Sequence, residues 1–266
     1  ALPIFASVTA LIIMGQHTGS FYVAAFFRFV LVMIGVLSSS VVNLIFLPPK
    51  FETKIYYNSM NISSDIFVWF KLVLNDTSEF HNIKQDGDQL NSRINKLEKI
   101  FDYYNEERPL TKKHIYQQNR KKILFREVVR TTRQAYEVLK RMSRYQNDLY
   151  QLNNQLLLQI KLELDSLVTL HEQIFKSLSK KARYDVTQLD YEVDNPQKKN
   201  LMDAFQQELI KNPHQTQYSY SNMMQIIAEI EEYRYQLEHL DRIRLSFFTY
   251  HRSDTDIDIS DEDFDL

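Results

Sequence analysis

An uninterrupted apolar stretch from Phe21 to Leu47 most constrains how this chain can fold. It contains a single charged residue, Arg28, and it ends at Pro48 and Pro49. About 20 apolar residues are enough for a helix to span the hydrocarbon core of a bilayer, and this stretch is longer. Charged residues are frequent after it. The sequence therefore predicts a membrane-spanning helix followed by a polar, helical part.

Scarce glycine and absent cysteine limit the classes of fold and chemistry. The 266 residues include four Gly, six Pro and no Cys. Few glycines disfavour tight hairpins and nucleotide-binding loops and favour long helices. Disulfides, thiolate metal sites and cysteine nucleophiles are excluded. A net charge of -2 gives no overall argument for binding nucleic acid.

A shorter apolar segment, residues 1–15, precedes the long one. It is short for a membrane span and lacks the basic start of a signal peptide. We interpret it as the second half of a membrane helix whose beginning is missing, with a deliberately short segment as the alternative. Residues 15–20 contain no Lys or Arg, whereas Lys50 and Lys54 follow the long stretch. The positive-inside rule predicts a transmembrane helical hairpin with Lys50 and all later residues in the cytoplasm.

Three residues within the long stretch are candidates for packing or for contact with a substrate: Arg28, Gly35 and Asn43. Arg28 is either a snorkelling, interfacial arginine or a fixed positive charge that faces an anion path. Gly35 lets neighbouring helices approach closely. For Asn43 we prefer a hydrogen bond to another helix over a substrate contact. Pro48 and Pro49 end the helix because proline lacks an N–H and restrains the residue before it.

The segment after the apolar stretch mixes charged and aromatic residues and is predicted to lie at the membrane interface. Aromatic rings with a polar tip suit the headgroup zone. The predicted junction residues are Pro48, Pro49, Lys50, Phe51, Glu52, Lys54, Tyr56 and Tyr57. The single tryptophan, Trp69, is predicted to be buried in a helical bundle rather than to lie on the membrane surface.

Hydrophobic periodicity beyond residue 50 predicts an antiparallel bundle of long helices. Helices are expected over about 50–74, 88–105 and 112–150, then to about 182, over about 197–211 and from 219 or 221 onwards, with residues 75–87 partly irregular. Apolar residues recur every three to four positions, as in a coiled-coil seam. His171 occupies one seam position, where a hydrogen-bonded core histidine is expected rather than a metal ligand.

The helix predicted over residues 112–150 carries a basic face. Between Lys112 and Arg144 there are eleven Lys or Arg and two Glu. The stripe opposite the apolar one holds Lys122, Arg126, Arg130, Arg133, Lys140, Arg141 and Arg144. This face is either simply solvated or docks on something negative, namely lipid headgroups, the acidic end of the chain or an anionic solute.

The chain ends in an acidic segment. Residues 253–266 contain seven Asp or Glu and no Lys or Arg, so we predict a disordered tail that could mask the basic face. The predicted fold class is therefore all-α, in three parts. Residues 1–49 hold transmembrane segments, residues 50–252 form a cytoplasmic helical bundle, and residues 253–266 are the tail.

Motifs of catalysis are missing from the sequence. It has no phosphate-binding loop, dinucleotide fingerprint or Gly-x-Ser-x-Gly. His171 and Glu172 are not followed by the second His that a zinc protease helix requires. We expect no enzymatic activity, no catalytic or metal-binding residues, no cofactor and no nucleic-acid partner.

The junction resembles the aromatic acid exporter family, in the Gram-positive branch related to fusaric acid resistance transporters. The residues that carry this resemblance are Arg28, Gly35, Asn43, Pro48, Pro49, Lys50, Phe51, Glu52, Thr53 and Lys54. Residues 133–144 and 167–181 also resemble the cytoplasmic domain peculiar to that branch. The resemblance extends over about residues 19–252.

The resemblance implies a multi-pass protein of the cell membrane with about six spanning helices, each of bilayer length. Residues 1–49 would hold the last two, and about four would be absent. It further implies a homo-oligomer in contact with membrane lipids that exports aromatic carboxylates or similar small organic anions. The alternative is a membrane-anchored helical scaffold or regulator that binds protein partners or anionic lipids.

Overall fold

The computed structural model describes residues 21–46, 51–75, 80–107, 112–178, 201–211 and 218–250. Within these ranges every regular element is an α-helix, eight in all, so the all-α prediction is confirmed. Contacts divide the chain into two units, Ala1–Pro49 and Lys50–Leu266. Residues 1–20, the predicted junction residues 48–50 and the acidic residues 253–266 lie outside the described ranges. The hairpin therefore stays a prediction.

The described part of the first unit is one helix, α1, from Phe21 to Phe46. Its large apolar side chains are mostly exposed, with exposed fractions from 43% for Met33 to 83% for Tyr22. Such a surface is unusual for a helix in water, where apolar side chains pack against other elements. Among the helices in the described ranges, none combines the length and apolarity needed to cross a membrane.

The second unit contains seven helices in its described ranges. They are α2 (Phe51–Leu74), α3 (Phe80–Glu106), α4 (Lys112–Arg144), α5 (Gln146–Tyr150), α6 (Asn154–Leu178), α7 (Leu201–Lys211) and α8 (Tyr220–Tyr250). The long helix α4 packs against α2, α3 and α8, while α6 packs against α2, α7 and α8. Helix α4 therefore occupies the centre of the bundle.

Polar contacts fix the relative direction of neighbouring helices. Tyr104 near the end of α3 donates a hydrogen bond to Glu52 at the start of α2, and Arg93 pairs with Asp65 further along. Residue numbers rise along one helix as they fall along the other, so α2 and α3 are antiparallel. This is the arrangement expected for neighbours joined by a short connection.

The core follows the helical periodicity of the sequence. On α4 the buried apolar residues recur at helical spacing, namely Leu124, Val128, Ala135, Leu139 and Met142, and Leu149 of α5 continues this stripe. A second stripe of this kind on α8 is buried at Ile226, Ile230, Tyr233, Leu237, Leu240 and Phe247. Each fully buried aliphatic or aromatic side chain contributes about 1.5–3 kcal/mol relative to an exposed one, so these stripes hold the bundle together.

Helix boundaries depart from the sequence prediction in two places. Residues 80–87 belong to α3 rather than to an irregular segment. Gly87 costs a helix about 1 kcal/mol relative to alanine, but its carbonyl oxygen accepts a hydrogen bond from Tyr136 of α4 at 3.1 Å. The chain around Gly87 is thus helical despite the low helix propensity of glycine, and a hydrogen bond from α4 is made at this position.

The second departure is a break within the predicted helix 112–150. Tyr145 has φ -112° and ψ 29°, outside the helical region, and separates α4 from the short α5. The carboxylate of Asp148 in α5 accepts hydrogen bonds from Ser219 N and Asn222 Nδ2, each at 2.7 Å. The break lets α5 bond the start of α8, a contact that the periodicity of α4 alone does not reveal.

Candidate functional site

The basic residues of α4 do not form one continuous charged face in the structure. Two of the seven predicted residues bond to α3, one bonds to α8, and four are exposed. Lys122 and Arg133 contact α3, Arg141 contacts α8, and the exposed residues are Arg126, Arg130, Lys140 and Arg144. Neighbouring helices therefore bind three of the seven residues of the predicted basic face, and the other four are exposed.

Arg133 makes the most extensive of these contacts. Its Nε and Nη2 donate to the two carboxylate oxygens of Glu98 at 2.9 and 2.7 Å. Its Nη1 and Nη2 also donate to the amide oxygens of Asn91 and Asn95. The hydrogen bonds that Arg133 donates to Glu98 raise the pKa of Arg133 and outweigh the opposing effect of partial burial. Such a two-pronged pair fixes direction as well as distance, so Arg133 locks α4 against α3.

Lys122 binds the end of α3. Its Nζ donates to the backbone oxygens of Asn105 at 2.8 Å and Glu107 at 2.7 Å. The last carbonyl groups of a helix have no partner within the helix, and a cation there also interacts favourably with the helix dipole. Lys122 therefore caps the end of α3.

Arg141 and Gln134 connect α4 to α8 through one carboxylate. Gln134 Nε2 lies 2.7 Å from Glu229 Oε1, and Arg141 Nε lies 3.4 Å from Glu229 Oε2. Arg141 Nη1 also donates to Gln225 Oε1 at 3.1 Å. Glu229 thus accepts bonds from two side chains of α4, and both of these side chains face the bundle.

The remaining basic residues form an exposed surface that we call the outer basic patch: Arg126, Arg130, Lys140 and Arg144. The side chains of Arg126 and Arg130 are 59% and 61% exposed. Glu127 lies 3.3 Å from Arg126 Nε, and Glu137 lies 2.9 Å from Lys140 Nζ. Acidic residues of α4 itself therefore partly neutralise this patch.

Glu52, a predicted junction residue, is bound within the bundle. Its carboxylate lies 3.1 and 3.2 Å from Lys121 Nζ, and it accepts a 3.0 Å hydrogen bond from Tyr104. Burial, reinforced by the charge of Glu52, raises the pKa of Tyr104. The ring of Phe51 packs on Tyr104 with 6.2 Å between centroids. Lys121 was not singled out from the sequence, because 69 residues separate it from Glu52.

The aromatic residues predicted for the headgroup zone also belong to the bundle. Tyr56 is 4% exposed, and its hydroxyl donates to the backbone oxygen of Phe175 at 3.1 Å. Phe51, Tyr57 and Trp69 are partly buried against the core, whereas Lys54 is exposed. For Tyr56 the headgroup prediction is wrong, because its side chain lies inside the bundle from the first turns of α2.

The membrane candidates lie along α1. Arg28 and Gly35 are seven residues apart and share one helix face, and Arg28 is partly buried. No described atom lies within 4 Å of the position that a Cβ on Gly35 would take. Asn43 is in the last part of α1, and its side chain lies outside the described set. A close helix approach at Gly35 is therefore still a prediction.

His171 and Tyr233 form a polar pair inside the core. The Nδ1 of His171 lies 2.8 Å from the Tyr233 hydroxyl, and the rings of Phe67 and Phe175 pack against the imidazole with centroids 5.1 and 4.4 Å away. Burial lowers the pKa of His171 to about 3 and raises the pKa of Tyr233. The imidazole is therefore neutral at physiological pH, and His171 is the hydrogen-bonded core residue predicted.

A buried ion pair was not predicted from the sequence. Arg244 Nε lies 2.6 Å from Asp241 Oδ1, and both side chains are at most 2% exposed. Spacings of three residues between opposite charges are common on exposed helix faces, so the sequence gives no signal of burial. In the described ranges no three His, Cys, Asp or Glu side chains are grouped as metal ligands.

These features define a class of protein: an all-helical chain in which a bundle of long helices follows an apolar helix. The UPF0421 protein YgaE of Bacillus subtilis (strain 168) is 34% identical over 255 residues, which make up 95% of this chain and 70% of that protein. The chain belongs to the UPF0421 family. No protein-family model matches it, and no solved structure matches it. The resemblance to aromatic acid exporters stays a prediction.

Replacement of Arg133 tests whether the basic helix is structural. Arg133→Met removes the paired bonds to Glu98 and should lower the free energy of unfolding by about 1–3 kcal/mol. The exposed Arg130→Met is the matched control and should change it by less than about 0.5 kcal/mol. Urea unfolding followed by circular dichroism measures both. Equal effects of the two substitutions would show that Arg133 does not lock α3 to α4.

The buried imidazole predicts a specific pH dependence. Below pH about 6.5 the unfolded His171 binds a proton, while the folded one stays neutral down to about 3. Stability should therefore fall with decreasing pH by about 1.4 kcal/mol per unit across this window. His171→Gln removes this proton uptake, so the stability difference between wild type and variant should shift by about 2 kcal/mol between pH 7 and pH 5. Parallel pH profiles of the two proteins would contradict the burial of a neutral His171.

Proposed function

We propose that this chain is the C-terminal portion of a non-enzymatic, exporter-like membrane protein. In this proposal the apolar stretch Phe21–Leu47 lies in the cell membrane and the bundle lies in the cytoplasm. The observation that carries it is the surface of α1, on which eleven large apolar side chains between Tyr22 and Leu37 are exposed. A lipid environment accommodates such a surface, whereas exposure to water is unfavourable by roughly 25 cal/mol per Å2.

Charge distribution supports the cytoplasmic side for the bundle. Residues 15–20 carry no Lys or Arg, whereas Lys50 and Lys54 follow the apolar stretch. Basic residues near the ends of membrane helices remain on the cytoplasmic side. The second unit also has a continuous core of its own, which suits a domain surrounded by water.

The proposed transported solutes are aromatic carboxylates or similar organic anions. Arg28 is the one basic residue within the apolar stretch, and ionisable residues within membrane helices are rare and usually functional. A positive charge facing a transport path would attract a carboxylate. The resemblance to aromatic acid exporters supports the same class of solute and an assembly of several copies in the membrane.

A second candidate function is a membrane-anchored scaffold or regulator. The outer basic patch favours it, because Arg126, Arg130, Lys140 and Arg144 are exposed and, within the described ranges, form no bond to another helix. Each basic residue near an anionic membrane surface contributes about 1 kcal/mol of attraction. The outer basic patch is compatible with both candidate functions. Only the export function requires movement of a solute.

Efflux measured in cells distinguishes these candidates. In a strain without the gene, the intact protein should restore export of a radiolabelled aromatic carboxylate. The variant Arg28→Ala should lower that export about tenfold or more, because it would leave an unpaired anion in an apolar path. Arg126→Ala, on the bundle surface, is the matched control and should export normally.

Normal export of the acid by the strain without the gene would support the scaffold function. If the strain without the gene exported and tolerated the acid normally but showed an envelope defect, the exporter proposal would be wrong. If Arg28→Ala exported normally at equal protein abundance, Arg28 would have no role in the transport path.

A further inference from the structure

A cleft of about 580 Å3 opens between α4 and α8 on the bundle. Its volume falls within the range of about 300–1,000 Å3 that is typical of small-molecule sites. The walls come from the first half of α4 and the second half of α8, two segments more than 100 residues apart in the chain. Six residues that line it are Arg120, Ile123, His239, Arg242, Ile243 and Phe247.

The charged groups that line the cleft are all positive, and Tyr235 and Ser246 add neutral hydroxyl groups. Arg120 and Arg242 carry positive charges, His239 adds an imidazole, and none of the described lining residues is acidic. The acid next to Arg242 in the chain, Asp241, is already bound to Arg244 within the core at 2.6 Å. Among the described residues, no carboxylate forms an ion pair with Arg242.

Two of these groups are held in position by aromatic rings. The guanidinium of Arg120 lies over the ring of Tyr116, 4.1 Å from its centroid, and also bonds its hydroxyl. The ring of His239 lies parallel to Tyr235, at 2° and 6.3 Å between centroids. Stacking on an aromatic ring restrains a guanidinium while leaving N–H groups available for an anion. The cationic wall is therefore partly preorganised.

The apolar lining defines the rest of the ligand. Ile123, Ile243 and Phe247 provide hydrocarbon surface beside the charged groups. A bare inorganic anion would leave this surface exposed to water, and a neutral apolar molecule would leave the guanidinium groups without a partner. A carboxylate joined to an apolar body of the size of a ring satisfies both, because guanidinium binds carboxylate through two parallel hydrogen bonds.

We propose that the cleft between α4 and α8 binds a small organic anion consisting of a carboxylate and an apolar, ring-sized body. The site lies wholly within the second unit and uses none of the residues of α1. It is therefore independent of the proposed export function and would serve equally to sense such an anion in a scaffold or regulator.

One competing occupant belongs to the chain itself. Residues 253–266 follow α8 in sequence and combine seven acidic residues with Ile257, Ile259, Phe264 and Leu266. Their chemistry also matches the cleft. A chain that ends at Arg252 separates this occupant from a free solute.

Benzoate is a suitable probe for the purified full chain in lipid nanodiscs, titrated by calorimetry. We expect saturable binding of benzoate, with binding at least about tenfold weaker for benzyl alcohol, which lacks the charge, and for inorganic phosphate, which lacks the apolar body. Arg242→Gln should weaken benzoate binding about tenfold, the equivalent of one lost charge-assisted hydrogen bond. Arg126→Gln, on the outer basic patch of α4, is the matched control and should bind benzoate normally.

Four results would overturn the proposal. Equal binding of benzyl alcohol would show a merely apolar surface, and equal losses in Arg242→Gln and Arg126→Gln would show a general effect of charge. Benzoate binding only by the chain that ends at Arg252 would assign the cleft to the acidic segment. Absence of benzoate binding together with normal efflux in cells would remove the cleft proposal and leave the export proposal intact.

Discussion

The second unit depends on the central helix α4 reaching three neighbours at once. One apolar stripe of α4 supplies the buried contacts, and three basic side chains supply an ion pair to each neighbour in turn. These pairs are Lys121 with Glu52 of α2, Arg133 with Glu98 of α3, and Arg141 with Glu229 of α8. Apolar burial is non-directional, whereas these hydrogen-bonded pairs set the register of each helix. Part of the basic composition of α4 is thus a property of the fold.

Periodicity predicted the buried positions well, because a side chain recurring every 3.6 residues has to face the same neighbour. The partners of the charged side chains were predicted less well than the buried positions. The sequence shows that Arg133 and Arg130 share a stripe, but it does not show that Glu98 lies beside one and solvent beside the other. Tyr56 was predicted to lie in the headgroup zone. An aromatic ring with a polar tip suits a helical bundle equally well, so the sequence does not distinguish the two environments. The cleft at Arg120 and Arg242 was unpredictable, since its two walls are distant in sequence.

The two units differ in their physical properties. Helix α1 presents apolar surface and one arginine, which suits lipid and, in our proposal, an anion path. The bundle keeps its charges for internal locks, for the outer basic patch and for the cleft. The similarity to the UPF0421 relative in Bacillus subtilis covers residues of both units. In our proposal, an organic-anion site on the bundle would let such a protein respond to that anion.

Cysteine labelling in intact cells tests the placement of the chain most directly, because these 266 residues contain no cysteine of their own. Single cysteines replace Thr18, before the apolar stretch, and Lys54, an exposed residue after it. A membrane-impermeant maleimide should label Thr18→Cys in whole cells and Lys54→Cys only after the cells are opened. Labelling of Lys54→Cys from outside intact cells, or recovery of the chain in the soluble fraction without detergent, would contradict the account.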